Sequence, residues 1–148
     1  MKTHSIRAAL AAAVVGLATA TSVLASEVER MLVTLTSADT EAQAMALVLS
    51  NQVAAGGTAV HLLLCSAAGD IALSTPPAAA TRVVTPTGMT VRGLLEALMA
   101  KGARVDVCAI YLPNRGLDPK ALATGIGVAK PPAIAAEMVD SGVRLASF

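Results

Sequence analysis

The sequence predicts an α/β fold built on a mostly parallel sheet of four to five strands. Three observations carry that prediction. Residues 31–36, with β-branched side chains, and residues 58–65 are short apolar runs that read as buried strands. Between them, residues 40–55 carry Ala44, Leu47, Val48 and Gln52 at helical spacing and stop at Gly56-Gly57. A strand, helix, strand succession of this length implies a parallel pair joined by a right-handed crossover.

The elements follow in order. Lys2 and Arg7 form a positive start, residues 8–20 an alanine-rich apolar stretch, and Val23-Leu24-Ala25 a small-residue cleavage site. A cleaved signal peptide is therefore expected over residues 1–25, with one domain over 26–148 exported to the periplasm. The stretch is too rich in alanine and too short for a retained membrane helix, so no stable span is expected after cleavage. Ser37, Asp39 or Thr40 can cap the first helix. Residues 66–88 hold Pro76-Pro77 and Pro86 and read as a long loop, a feature often functional in a small domain. A second helix over 90–100 presents Leu94, Leu95, Leu98 and Met99 on one stripe and ends at Gly102. A strand over 104–108, a short helix over 119–123 opened by Pro119, a helix over 133–140 and a last strand over 143–148 complete four strands and four helices.

Without residues 1–25 the chain carries nine basic and ten acidic residues, which leaves no electrostatic footprint for nucleic acid. One tyrosine (Tyr111), one phenylalanine (Phe148) and no tryptophan give no stacking platform for bases either. The core must be built from Ala, Val, Leu, Ile and Met.

Cys65 and Cys108 are the two cysteines, and both close predicted strands at the same sheet edge, where open α/β sheets present their chemistry. In an exported chain the pair raises the question of a disulfide. With a 2-1-3 strand order, as in flavodoxin-like sheets, the first strand would separate them by about 10 Å. That exceeds the bridging limit of about 7 Å between Cα atoms, so Cys65 is expected to be a small packed residue. Cys108 has two readings: a packed strand cysteine, or a thiolate nucleophile favoured by a helix N-terminus or by Arg115 nearby. His61, inside the second strand, is expected to be a satisfied core or face residue; with Cys65 it makes only half of a tetrahedral zinc set, so no metal site is expected. Met45, Met89, Met99 and Met138 read as core filler. Residues 36–40 lie between strand and helix, where an anion can bind, but hydroxyl and carboxylate capping accounts for them.

Val105-Asp106-Val107-Cys108, six residues, then Arg115-Gly116 resembles the active-cysteine segment of the DsrE/TusD-like (DsrE/DsrF-like) sulfur-relay family. The resemblance extends through the opening strand, the helix closed by Gly56-Gly57, the strand to Cys65 and the ending from Gly142 to Phe148. It implies a three-layer, flavodoxin-like variant fold, assembly as trimers or hexamers, and a persulfide carried on Cys108. In that role Arg115, Gly116 and backbone N–H groups would support the anion, Cys65 would be structural or a redox partner, and no cofactor would be needed. The partners implied are a sulfur donor and acceptor thiols. The six intervening residues, Ala109 to Asn114, differ from the small, alanine-rich stretch of the sulfur-relay members. Two alternatives stand beside a sulfur carrier or sulfurtransferase: a non-catalytic small-ligand or protein-interaction module on the same fold, and a Cys65–Cys108 thiol redox switch.

Overall fold

Successive strand residues point to opposite faces of a sheet, and five consecutive residues from Val60 to Leu64 are buried, so this strand must be covered on both sides. The computed structural model describes residues 29–148 and shows how. In chain order the elements are β1 (Arg30–Leu35), α1 (Thr40–Ala55), β2 (Ala59–Leu64), β3 (Val83–Val84), β4 (Met89–Thr90), α2 (Val91–Ala100), β5 (Arg104–Val107), α3 (Tyr111–Arg115), β6 (Gly127–Val128), α4 (Pro131–Val139) and β7 (Val143–Ser147). Five of the strands form one parallel sheet in the order β6-β5-β2-β1-β7, and β3 pairs with β4 as a small antiparallel ribbon. The expected signal peptide lies outside the described residues.

Side-chain caps open α1 and α2, and prolines open α4. The Asp39 carboxylate accepts from the Ala42 N–H at 2.8 Å to open α1, so capping occupies the strand-to-helix turn considered above for an anion. Gly57, at φ 90°, supplies the left-handed turn that ends the helix. Thr90 opens α2 by accepting from the Gly93 N–H at 2.9 Å, and Pro131-Pro132 pre-set the first turn of α4.

The faces divide by parity. Val33, Leu35, Leu62, Leu64, Val105 and Val107 join the main core with Ala44 and Leu47 of α1 and Leu94, Leu95 and Leu98 of α2. The opposite face is thinner: Leu32, Leu63, Ala129 and Ile134 of α4 form a second cluster, against which Cys65 and Cys108 pack. Helices on both faces of the sheet make the three-layer, flavodoxin-like architecture expected from the sequence.

Several details differ from the sequence reading. The order is not 2-1-3: β2, not β1, is the neighbour of β5. After β2 the chain continues outward and lays α2 beside α1 on one face, where the two helices pack together. The loop over 66–88 contains two 3₁₀ turns, Ser66–Ala72 and Ala78–Thr81, and the first strand of the ribbon. Four elements add to the expected count, the ribbon strands β3 and β4 together with α3 and β6, while the short helix at Pro119 is a 3₁₀ turn, Pro119–Ala121. Met45 and Met138 are not core filler; they are 55% and 54% exposed, and Met89 is also exposed. Met99 does pack against the core.

β6 lies beside β5 with Gly127 opposite Asp106. A Cβ on Gly127 would overlap the Asp106 carboxylate, so glycine here makes room for a buried charge. Gly127→Ala is expected to destabilise the fold by about 1–3 kcal/mol through overpacking, seen as a lower denaturant midpoint. An unchanged midpoint would show that the carboxylate has another place to go.

Candidate functional site

The ladder between β2 and β5 pairs Leu64 with Val107, so the next rung pairs Cys65 with Cys108. Backbone bonds hold both cysteines in the sheet: the Cys108 N–H donates to Leu64 O of β2 and the Cys65 N–H to Leu35 O of β1, each at 2.9 Å. Their Cα atoms stand 5.1 Å apart and the two sulfurs form a disulfide. This corrects the sequence expectation that a strand would lie between them. A Cα separation of 5.1 Å falls inside the range that a disulfide spans without moving the backbone. The pair sits at the carboxyl edge of the sheet, as expected, yet between β2 and β5, away from the β1–β7 boundary where the strand order reverses.

The chain turns sharply beyond each cysteine. Ser66 takes φ 53°, a left-handed conformation that costs a non-glycine residue about 1–2 kcal/mol. Beyond Cys108, the Tyr111 N–H donates to the Cys108 carbonyl at 2.8 Å and starts the single turn of α3. Gly116, at φ 63°, closes that turn in the left-handed cap position. The Arg115-Gly116 pair thus reads structurally as the last helical residue and its cap.

A polar cluster ties the two loops together. The Tyr111 hydroxyl donates to Asp70 Oδ1 at 2.8 Å, Arg115 Nη2 lies 3.2 Å from the same oxygen, and the guanidinium carbon stands 5.6 Å from the Tyr111 ring centroid. Gly69 admits this arrangement, since a Cβ there would overlap the tyrosine ring. Asp70 therefore takes up part of the Arg115 charge that the sequence reading assigned to a thiolate.

Two cavities meet at the disulfide. One, of about 450 Å³, is bounded by both cysteines together with Tyr111, Asn114 and Arg115. The other, of about 300 Å³, is bounded by Cys108 but not by Cys65, and its remaining wall is apolar, including Leu63, Ala129, Ile134 and Met138. Ile110, 71% exposed, borders both. The structure therefore gathers Cys65, Cys108 and Arg115 around one opening, while Gly116 acts at a distance by shaping the turn.

His61 belongs to a separate polar group on the same sheet face. Its Nδ1 lies 2.8 Å from Glu137 Oε2 and its Nε2 lies 3.0 Å from Asp106 Oδ2, while Arg104 Nη2 stands 2.6 Å from Asp106 Oδ2. Both ring contacts are hydrogen bonds to carboxylates only when both ring nitrogens carry protons. The sequence reading of His61 as a satisfied buried residue holds, but its partners were not foreseen. Asp106, charged within the apolar run Val105 to Val107, was the legible signal, because a buried charge requires a partner. His61 precedes Cys65 by four residues, about 13 Å along an extended strand, so the imidazole lies away from the sulfurs and supports the scaffold.

Among the described residues no group of three or more His, Cys, Asp or Glu side chains is disposed to hold a metal ion, and no helix is long and apolar enough to cross a membrane.

No protein-family model matches the sequence, and the search of curated proteins found no match to it. The structure is similar to solved ones. The ychN protein of E. coli superposes with a TM-score of 0.60 at 18% identity, covering 81% of this chain and 99% of its own. A protein of unknown function from Methanobacterium thermoautotrophicum gives 0.58 at 15% identity, covering 80% of this chain and 98% of its own. Another, from Bacteroides thetaiotaomicron, gives 0.57 at 15% identity over 81% of this chain and 95% of its own. What these proteins share with this chain is the fold.

Two predictions follow from the polar groups. Burial, then the Asp70 hydrogen bond, holds the Tyr111 phenol protonated well above the usual tyrosine range. The folded chain binds this proton more tightly than the unfolded one, so the contribution is complete below about pH 10 and is lost as pH rises through the higher folded value. Tyr111 is the one tyrosine, so alkaline absorbance titration reads it alone. Tyrosinate should form only as the protein unfolds, and an ordinary midpoint in folded protein would refute the burial account. Removing His61 leaves Arg104 as the remaining cation beside the Asp106 and Glu137 carboxylates, so His61→Leu is expected to cost about 1–3 kcal/mol in denaturant unfolding. A loss under about 1 kcal/mol, the range of exposed pairs, would show that solvent reaches the network.

Proposed function

We propose that this chain is a DsrE-like sulfur carrier, active on Cys108 in the periplasm after export. The observation that carries the reading is the position of the Cys108 sulfur: it closes a buried strand at the carboxyl edge of the sheet and borders both cavities. The resemblance of Val105 to Cys108 and of Arg115-Gly116 to the sulfur-relay segment supports the same assignment. So does the fold shared with the solved structures, though at their low identity it speaks for architecture alone.

The disulfide defines the starting point. A dithiol reductant must first open it, giving two thiols. The Cys108 thiolate then attacks the sulfane sulfur of a donor persulfide; a new S–S bond forms, and the donor leaves as a thiolate. An acceptor thiolate takes that outer sulfur in the same way and returns Cys108 as a thiolate, so the transfer has no net redox change. Arg115 borders the opening and favours the anion at each stage, with a charge moderated by Asp70. The donor, the acceptor and further copies of the chain, in a trimer or hexamer, are the partners of this cycle.

The disulfide itself favours a second reading, in which opening and closing the Cys65–Cys108 bond is the function and no sulfur is carried. The two differ in mass. Reduced protein treated with benzenethiosulfonate, a sulfane-sulfur donor whose leaving group is a sulfinate, should gain one sulfur on the peptide holding Cys108 in a Cys65→Ser variant. Reductant should remove it, and Cys108→Ser should not acquire it. Folded, reduced protein that gains no sulfur on Cys108 would overturn the carrier reading and leave the redox switch.

A further inference from the structure

We infer that Cys65 is a resolving thiol that discharges a Cys108 persulfide as sulfide, giving the protein a persulfide-reducing activity beyond sulfur carriage. The inference rests on the proposed loading of Cys108 and deepens it. Its basis is that the sheet, and not a mobile loop, sets the distance between the two sulfurs. Cys65 and Cys108 occupy one rung of adjacent parallel strands, both held by backbone bonds of 2.9 Å, with Cα atoms 5.1 Å apart. That spacing suits a direct bond between the two Sγ atoms. Adding an outer sulfur to Cys108 therefore leaves its inner Sγ as the atom facing Cys65.

The two cavities separate the roles of the two cysteines. Displacement at sulfur needs the leaving group on the side opposite the attacking thiolate. The apolar cavity touches Cys108 but not Cys65, and it reaches Ala129, just past β6 on the side of β5 away from β2. The cavity also reaches Leu63 of β2, so the outer sulfur that stands across Cys108 from Cys65 is one lodged at the Ala129 end. Cys108 is the thiol that meets the donor, and Cys65 is the thiol that closes on it.

In the step, the Cys65 thiolate attacks Cys108 Sγ. The Cys65–Cys108 bond forms, and the bond from Cys108 Sγ to the outer sulfur breaks. The electron pair leaves with the outer sulfur, which keeps its proton and departs as hydrosulfide. The sulfane sulfur is reduced by two electrons, the two cysteine sulfurs are oxidised to the disulfide, and nothing further is consumed. A dithiol reductant then reopens the bond for another turn.

The experiment loads reduced protein with benzenethiosulfonate, whose leaving group contains no sulfide, removes the excess, and follows sulfide release and the state of both cysteines. Wild type should release one sulfide per chain and end as the Cys65–Cys108 disulfide. Cys65→Ser should retain the persulfide on Cys108 and release sulfide about 100-fold more slowly or less, the loss of an intramolecular attack. Cys65→Ala, with circular dichroism of each variant, separates a missing thiol from a damaged fold. Sulfide release from folded Cys65→Ser or Cys65→Ala at the wild-type rate would overturn the resolving role while leaving sulfur carriage intact. A wild type that holds a stable Cys108 persulfide beside a free Cys65 would overturn it equally. If Cys108 never acquires sulfur in either Cys65 variant, the carrier reading itself fails.

Discussion

The register of β2 against β5 is the constraint on which the rest of the site depends. With Leu64 opposite Val107, the rung above joins the two cysteines. The same register brings His61 to Asp106 and leaves Leu63 to fill the space between the polar group and the sulfurs. A slip of one residue in either strand would turn that strand's whole set of side chains to the other face. Asp106 or His61 would then enter the leucine-rich core shared with α1 and α2, where neither has a partner. The buried network makes such slips costly, and the position of the disulfide follows from it.

The two faces of the sheet do different work. On one, α1 and α2 lie side by side over a thick aliphatic core, including Leu35, Leu47, Leu62, Leu64, Leu95 and Leu98, all fully buried. Each contributes about 1.5–3 kcal/mol by removal from water. On the other, α4 is the one helix among the described residues that covers the sheet, and Ile134 is its one buried side chain. There the His61, Asp106 and Glu137 contacts join α4 to the strands where an apolar contact is thin. Such a network adds little net stability compared with an aliphatic core, but removing one member is costly. The thin cover is also what leaves the apolar cavity beside Cys108 open.

Much of the scaffold was legible because its signals are local. The bounds of α1 agree with the periodicity and caps, since Asp39 and Gly56-Gly57 act within one turn of the ends. Both strands that lead to the cysteines were visible as apolar runs. Strand order was not legible, for a physical reason. A right-handed crossover constrains each parallel pair but does not say on which side of β2 the chain continues. Continuing outward puts α1 and α2 on one face, whereas doubling back across β1 puts them on opposite faces. Both arrangements bury the same apolar stripes. β6 was invisible because Gly127-Val128 is too short to show a period, and α3 was obscured by Pro113 within a five-residue helix. The Asp70–Tyr111–Arg115 cluster joins residues far apart in sequence, so spacing could not find it.

Strand order changes the chemistry as well as the geometry. Had β1 separated the cysteines, Cys108 would be a solitary thiol whose persulfide could pass only to an outside acceptor. With β2 beside β5, any group that forms on Cys108 has a second thiol one rung away, held by the sheet. An intramolecular neighbour competes with external acceptors at a high effective concentration, so the proposed persulfide would last only with an acceptor already docked. The proposed carriage and discharge would then be two exits from the same intermediate. On the proposed cycle, the state of Cys65, more than the reactivity of Cys108, would decide between them.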